Sequence, residues 1–303
     1  MERSSGRSVY EQGKKVFNKL EIFANLIKYK LSLAVAFSSA TGYFLYRNTA
    51  DHNLLPLVCG VFLLASGAAV MNQYTEREQD ALMERTRMRP IPAKRISLRS
   101  VTLIFSFLLI TGSILLLING FKPFVLGILC VILYNLLYTS LKKITILAIL
   151  PGALVGTIPP LIGFISAGGN IMEYKILLFS GFIFLWQLPH FWLLLIRYGK
   201  EYREAGFKSV SNYLSEKQIR YLIFFWALLS SGFLVVFAMG IKEPGRNIAY
   251  FLIVINLVFI LLFFSLLFLK RKTSDTRGAF ILLNSFGFLI MSVLMADSLL
   301  KGI

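Results

Sequence analysis

Nine stretches of this chain are apolar over close to the length that crosses a bilayer: residues 31–46, 54–71, 98–118, 121–138, 144–166, 174–196, 219–240, 248–269 and 278–299. A helix rises 1.5 Å per residue, so ~20 apolar residues span a hydrocarbon core ~30 Å thick. Within lipid every backbone N–H and C=O must be bonded inside the protein, which leaves helices and closed barrels. The runs lack the two-residue alternation of barrel strands. An all-α, polytopic membrane protein of about nine transmembrane helices is therefore expected. The first run is short at its apolar core and draws on flanking residues. Charged residues make up only 16% of the chain, against about a quarter in soluble domains, and this excludes an ordinary soluble fold.

Positive charge gives the orientation. Of the 32 lysines and arginines, 26 fall in the N-terminal segment and the connections that share its side of the membrane. The other side carries only Arg47, Lys122, Lys175, Lys242, Arg246 and Lys301. Because positive charge marks the cytoplasmic side, the N-terminus is expected inside and the C-terminus outside. A multi-pass protein of a bacterial inner (plasma) membrane follows as the simplest location. No cleavable signal is evident, so residues 1–25 read as a basic cytoplasmic segment and 26–303 as one transmembrane domain. The net charge of +17 then sits mainly on one face, where anionic membrane lipid or a phosphorylated substrate accounts for it. No protruding basic domain interleaved with aromatics suggests nucleic acid as a partner. Cys59 and Cys130 lie inside spans and have no metal-ligand spacing.

The densest polar chemistry follows the second run: NQYTEREQDALMERTRMRP, residues 72–90. Glu76, Glu78, Asp80 and Glu84 fall there within 14 residues together with Arg77, Arg85, Arg87 and Arg89. Asn72, Glu76, Asp80 and Glu84 recur every four residues, which predicts one helix face of oxygen donors. Such a face suits Mg²⁺, which binds through one or two carboxylates plus substrate phosphates, and the arginines could hold the same phosphates. The alternative is a solvated, salt-bridged helix end at the membrane surface.

A second polar loop, PHFWLLLIRYGKEYREAGFKS, places His190, Arg197, Glu201, Glu204 and Lys208 at spacings of seven, four, three and four. If the sixth span continues as a helix, these share a stripe, and Glu201 could face the first cluster. The competing reading is two surface pairs, Arg197–Glu201 and Glu204–Lys208. Lys142 and Lys143 sit at a membrane edge, with a lipid phosphate or a substrate diphosphate as possible partner. In the span that follows, Gly152 and Gly156 allow close helix packing, while Pro159–Pro160 is expected to break or bend it.

Three segments together, NQYTEREQDALMERTRMRP, YTSLKKITILAILPGALVGTIPPLIGF and WQLPHFWLLLIRYGKEYREAGFKS, resemble the UbiA superfamily of intramembrane prenyltransferases. The GxxPPxIG-like stretch and WQxPH are most similar to its protoheme IX farnesyltransferase (heme O synthase) branch. The resemblance implies about nine transmembrane helices around a membrane-accessible central cavity, with two acidic loops binding Mg²⁺ and an isoprenyl diphosphate. It implies Asn72, Glu76, Asp80 and Glu201 as catalytic, with Glu76, Asp80 and Glu201 on the metal. Arg85, Arg89, Lys142 and Lys143 would neutralise the diphosphate, and His190 would meet the acceptor. The branch's substrates would be farnesyl diphosphate and heme b, with transfer onward to heme A synthesis or terminal oxidase assembly. Glutamate stands at 76, 78 and 201 where the family usually has aspartate, and Gln73 where aromatic-acceptor branches carry aspartate. Two other readings stay open: a quinone-precursor or other aromatic acceptor, and a non-catalytic multi-pass transporter or heme-handling protein.

Overall fold

A computed structural model describes residues 19–208, 210, 213–240, 246–269 and 275–302. Most of the basic segment 1–25, like Lys242 and residues 270–272, lies outside the described residues. Nine long helices run among them. They are α1 (Tyr29–Tyr46), α2 (Leu54–Thr75), α3 (Leu98–Ile118), α4 (Phe121–Ile144), α5 (Ile149–Ser166), α6 (Tyr174–Glu204), α7 (Glu216–Met239), α8 (Arg246–Phe264) and α9 (Asp275–Lys301). No strand occurs among the described residues. Eight of the nine are long and apolar enough to cross a membrane.

Helix α1 is the exception, and its sequence shows why. Ser32, Ser38, Ser39 and Thr41 are buried, and each hydroxyl donates to a carbonyl of its own chain three to five residues back. That bonding satisfies them without water, so a helix rich in small polar residues can sit between α2, α5 and α9 instead of facing lipid. The crossing with α5 is close enough that only glycine fits. A Cβ on Gly163 would lie 1.8 Å from the Ser39 carbonyl oxygen, and one on Gly42 would lie 2.0 Å from that of Pro160.

Helix α3 shows the opposite arrangement. Its inner stripe, Val101, Leu108, Gly112 and Leu116, is buried against α2, whereas Leu103, Phe107, Ile110 and Ile114 are exposed in a second stripe. A helix apolar on both sides, with one side uncovered by protein, is what lipid as solvent permits. The core of the second half is aromatic, with Phe259 stacked on Phe286 at 4.0 Å between centroids.

Three boundaries depart from expectation. Helix α4 runs past residue 138 to Ile144 through a π-helical segment, Leu133–Tyr138. Helix α5 begins only at Ile149, after a 3₁₀ turn at Ile146–Ala148. It then continues unbroken through Pro159 and Pro160, because both are buried against neighbouring helices that hold the geometry. Helix α6 continues to Glu204, so the polar stripe is helical from His190 to Glu204, whereas Lys208 lies beyond the helix end. Gly152 and Gly156 make room for side chains, not for a second backbone: a Cβ at 156 would strike the Gln187 amide and one at 152 the Tyr138 ring.

Candidate active site

Helix α2 carries one stripe from an apolar region into a polar one. Val61, Ala65, Ala68 and Ala69 line a cavity of about 350 Å³ enclosed by α1, α2, α4, α5, α6 and α9. One turn further, Asn72 is buried, and Glu76 follows at the helix end, only 3% exposed. A six-residue helical turn, Arg77–Leu82, then brings in Asp80 at 1% exposed. The backbone bonds Glu76 N–H to Asn72 O and Asp80 N–H to Glu76 O preserve the four-residue register through the junction. Glu84 departs from the expected face: the turn ends at Leu82, and Glu84 is exposed with Arg87 3.9 Å away. Glu78 is also exposed, beside Arg77.

Each buried acid holds a cation. Asp80 accepts two bonds from Arg89 Nη1, at 2.9 and 2.7 Å, and the Lys142 ammonium pairs with Glu76. Asn72 accepts from Lys28 Nζ at 3.1 Å and donates to Thr139 Oγ1 at 3.2 Å. Lys28, Lys142 and Arg89 thus crowd around two carboxylates, and positive charge exceeds negative. The Lys28 ammonium feels the crowding: burial first, then repulsion from Arg89 and Lys142, pushes its pKa down to about 7. An excess of partly desolvated cations is a receptor for a polyanion.

Lys28 is the residue the sequence reading missed. It lies with Lys30 between the basic segment and the first apolar run, and the only local hint is its left-handed backbone (φ 46°), which no sequence pattern announces. Thr139 was missed for a similar reason, since it meets Asn72 only because α4 extends beyond residue 138.

The second loop reaches the first by a different contact from the one expected. Glu201 Oε2 accepts the backbone N–H of Arg85 at 3.0 Å, and the Arg85 guanidinium lies over the Tyr198 ring, 4.8 Å from its centroid. Glu201 therefore clasps the segment after Asp80. Among the described residues no three acids, histidines or cysteines converge on a common point, so Glu201 does not complete a ready-made metal cage with Glu76 and Asp80. Neither Arg197–Glu201 nor Glu204–Lys208 pairs, and Arg197 instead lies over Tyr198. Gly206, at φ 82°, ends α6: Phe207 N–H bonds to Tyr202 O and Gly206 N–H to Arg203 O. That turn is a Schellman cap, and it swings Phe207 onto Met83, burying an apolar plug between the two loops.

Lys143 is half-buried and makes no ion pair with a described residue, so of the expected lysine pair only Lys142 joins the cluster. His190 lies on α6 ~16 Å along the axis from Glu201, at the cavity wall. Tyr134 and Tyr138, stacked at 5.7 Å on the π-helical segment, separate the charged end from the apolar interior. Lys142 Nζ lies 5.4 Å from the Tyr138 ring centroid, so the polar end and the apolar cavity share a wall.

The sequence and the fold have counterparts. A protoheme IX farnesyltransferase of Geobacter sulfurreducens is 35% identical over 220 residues, covering 72% of this chain and 82% of its own. One of Cytophaga hutchinsonii is 31% identical over 282 residues, covering 90% and 95%. In three dimensions, a UbiA homologue of Archaeoglobus fulgidus, solved bound to GPP and Mg²⁺, superposes with a TM-score of 0.72 at 14% identity, over 91% of this chain and 98% of that one. The sequence pattern of the UbiA prenyltransferase family matches residues 33–290, and this multi-pass membrane chain belongs to that family.

Proposed function

We propose that the chain transfers a farnesyl group from farnesyl diphosphate to a vinyl group of heme b, forming heme O. The observation that carries this reading is the buried cluster of Glu76–Lys142 and Asp80–Arg89 at the polar end of an apolar cavity. Similarity to protoheme IX farnesyltransferases over nearly the whole chain supports the choice of acceptor.

Asn72, Glu76 and Asp80 present oxygens on one buried stripe, two of them carboxylate-bearing, which fits Mg²⁺ shared with a diphosphate and not a cage complete in itself. When bound there, Mg²⁺ would stabilise negative charge on the departing diphosphate. Lys28, Lys142 and Arg89 supply the same stabilisation from the protein. With a diphosphate bound, these cations would neutralise it, and Asn72, Glu76 and Asp80 are the residues that would hold the metal. Glu201 positions Arg85 through its backbone, so Arg85 reaches the diphosphate from the loop side. Tyr134, Tyr138 and the apolar walls hold the isoprenoid and keep water from the allylic carbon while its C–O bond breaks. The electron-rich vinyl carbon then attacks that carbon, and water adds to the resulting centre on the porphyrin side chain, giving up a proton to the released diphosphate.

His190, at the cavity wall, meets the heme. The charge asymmetry of the connections supports a cytoplasmic N-terminus, an outside C-terminus and an inner-membrane location. On this orientation residues 1–25 form a basic cytoplasmic segment ahead of a single domain, 26–303, and the product passes to heme A synthesis or oxidase assembly. A transporter would hold its polar site near the bilayer midplane, whereas these acids lie at a helix end.

The test is to incubate membranes containing the protein with heme b, farnesyl diphosphate and Mg²⁺, with an EDTA control, and to read the hemes by mass spectrometry. Mg²⁺-dependent farnesylated heme is the expected result. Prenylation of a quinone precursor with no farnesylated heme would overturn the acceptor.

A further inference from the structure

His190 is held by a neighbour on another helix. Its Nδ1 lies 3.0 Å from Asn284 Oδ1 on α9. The Asn284 amide has only one workable orientation: Nδ2 donates to the Phe280 carbonyl at 2.6 Å, and the reversed amide would press two carbonyl oxygens together. Oδ1 must therefore face the ring, so His190 Nδ1 carries the hydrogen and Nε2 keeps an unshared electron pair. Two further contacts fix the ring plane. Phe280 lies 4.9 Å from its centroid, and Trp186, tilted against it at 5.7 Å, donates Nε1–H to Leu283 O on α9. Both His190 and Asn284 line the cavity, and Nε2 has no hydrogen-bond partner among the described residues.

A histidine that ligates a metal usually donates its other ring N–H to a carbonyl, which sets the tautomer, orients the ring and raises its basicity. We propose that Asn284 is a positioning residue that presents His190 Nε2 as an axial ligand to the iron of a metalloporphyrin in the cavity. The inference rests on reading the cavity as the heme site. On that basis α6 supplies the ligand and α9 its orientation, so the acceptor's iron is fixed at the cavity wall.

The experiment uses the full-length protein in detergent or nanodiscs, loaded with ferrous heme b, with resonance Raman spectroscopy reading the iron–histidine stretch. Wild type should show that band and His190→Ala should lack it. Asn284→Asp, whose carboxylate has to turn off the Phe280 carbonyl but is the stronger acceptor for Nδ1–H, should raise its frequency, and Asn284→Leu, which accepts nothing, should lower it. A merely structural role for Asn284 would not move the band in opposite directions. If wild type binds heme without a histidine band, the ligand assignment falls and the heme-site reading stands. If the band depends on His190 but both Asn284 variants leave its frequency unchanged, the role of Asn284 alone is overturned. Wild type that binds no heme at all overturns the heme-site reading itself.

Discussion

Asp80 and Arg89 are joined by two hydrogen bonds, yet their burial is unequal: the Asp80 side chain is 2% exposed and that of Arg89 25%. Removing one member of a buried pair strands the other, at about 3–5 kcal/mol. Which member is stranded decides where in that range the cost falls. Arg89→Met leaves a carboxylate with almost no access to water, so a loss near the upper end is expected. Asp80→Asn leaves a guanidinium that reaches solvent and still meets an acceptor oxygen, so its loss should lie near the lower end. Changes at Lys28 oppose this difference, because losing Arg89 relieves repulsion while losing Asp80 removes an attraction. A net gap of about 1–2 kcal/mol should survive. Mg²⁺ should narrow that gap by stabilising Arg89→Met selectively. A bare carboxylate is an oxygen ligand for a hard cation, and a ligand that binds only the folded state stabilises it. Denaturant unfolding of the detergent-solubilised full chain, with and without millimolar Mg²⁺, reads both effects. Asp80→Asn proving the more damaging change, or Mg²⁺ stabilising both variants equally, would refute the reasoning.

Lys28→Met should raise the KM for the isoprenyl diphosphate about tenfold or more, since a charge-assisted contact contributes about 1.5–3 kcal/mol, and steady-state kinetics with an unchanged KM would remove Lys28 from the site. At Glu201, Gln keeps an acceptor for the Arg85 N–H and Ala does not, so Glu201→Gln should retain most activity and Glu201→Ala little; equal inactivity of the two would restore Glu201 as a metal ligand. Gly42→Ala and Gly163→Ala should each cost about 1–3 kcal/mol by forcing α1 from α5. Once either has separated the helices the second adds less, so unfolding free energies that simply add would contradict a shared crossing.

The spans were legible because lipid demands them: apolar length fixes helix count with little help from packing, and α3 occupies the run 98–118 without shift. The stripe Asn72, Glu76, Asp80 was legible because four-residue spacing is a local property of a helix. Arg89 and Lys142 could be named as cations, but nothing local says which acid each one meets. Where the chain's own geometry changes, the sequence was silent. Glu84 leaves the stripe because the helix ends at Leu82, and Thr139 enters the site because α4 continues through a π turn.

The sequence alone thus determined that this chain spans a membrane as helices, that its polar chemistry sits in two loops on one side, and which acids and bases those loops offer. Only the tertiary structure decided that Lys28 joins the cluster, that Lys143 does not, that Glu201 clasps a backbone amide, and that Asn284 orients His190 from 94 residues away. The physical reason is range. Hydrophobic length and helical periodicity act between neighbours in the chain, whereas ion pairs and ring tautomers depend on how distant helices cross. Here that crossing is set by close contacts such as those of Gly42 and Gly163, whose consequences appear tens of residues away.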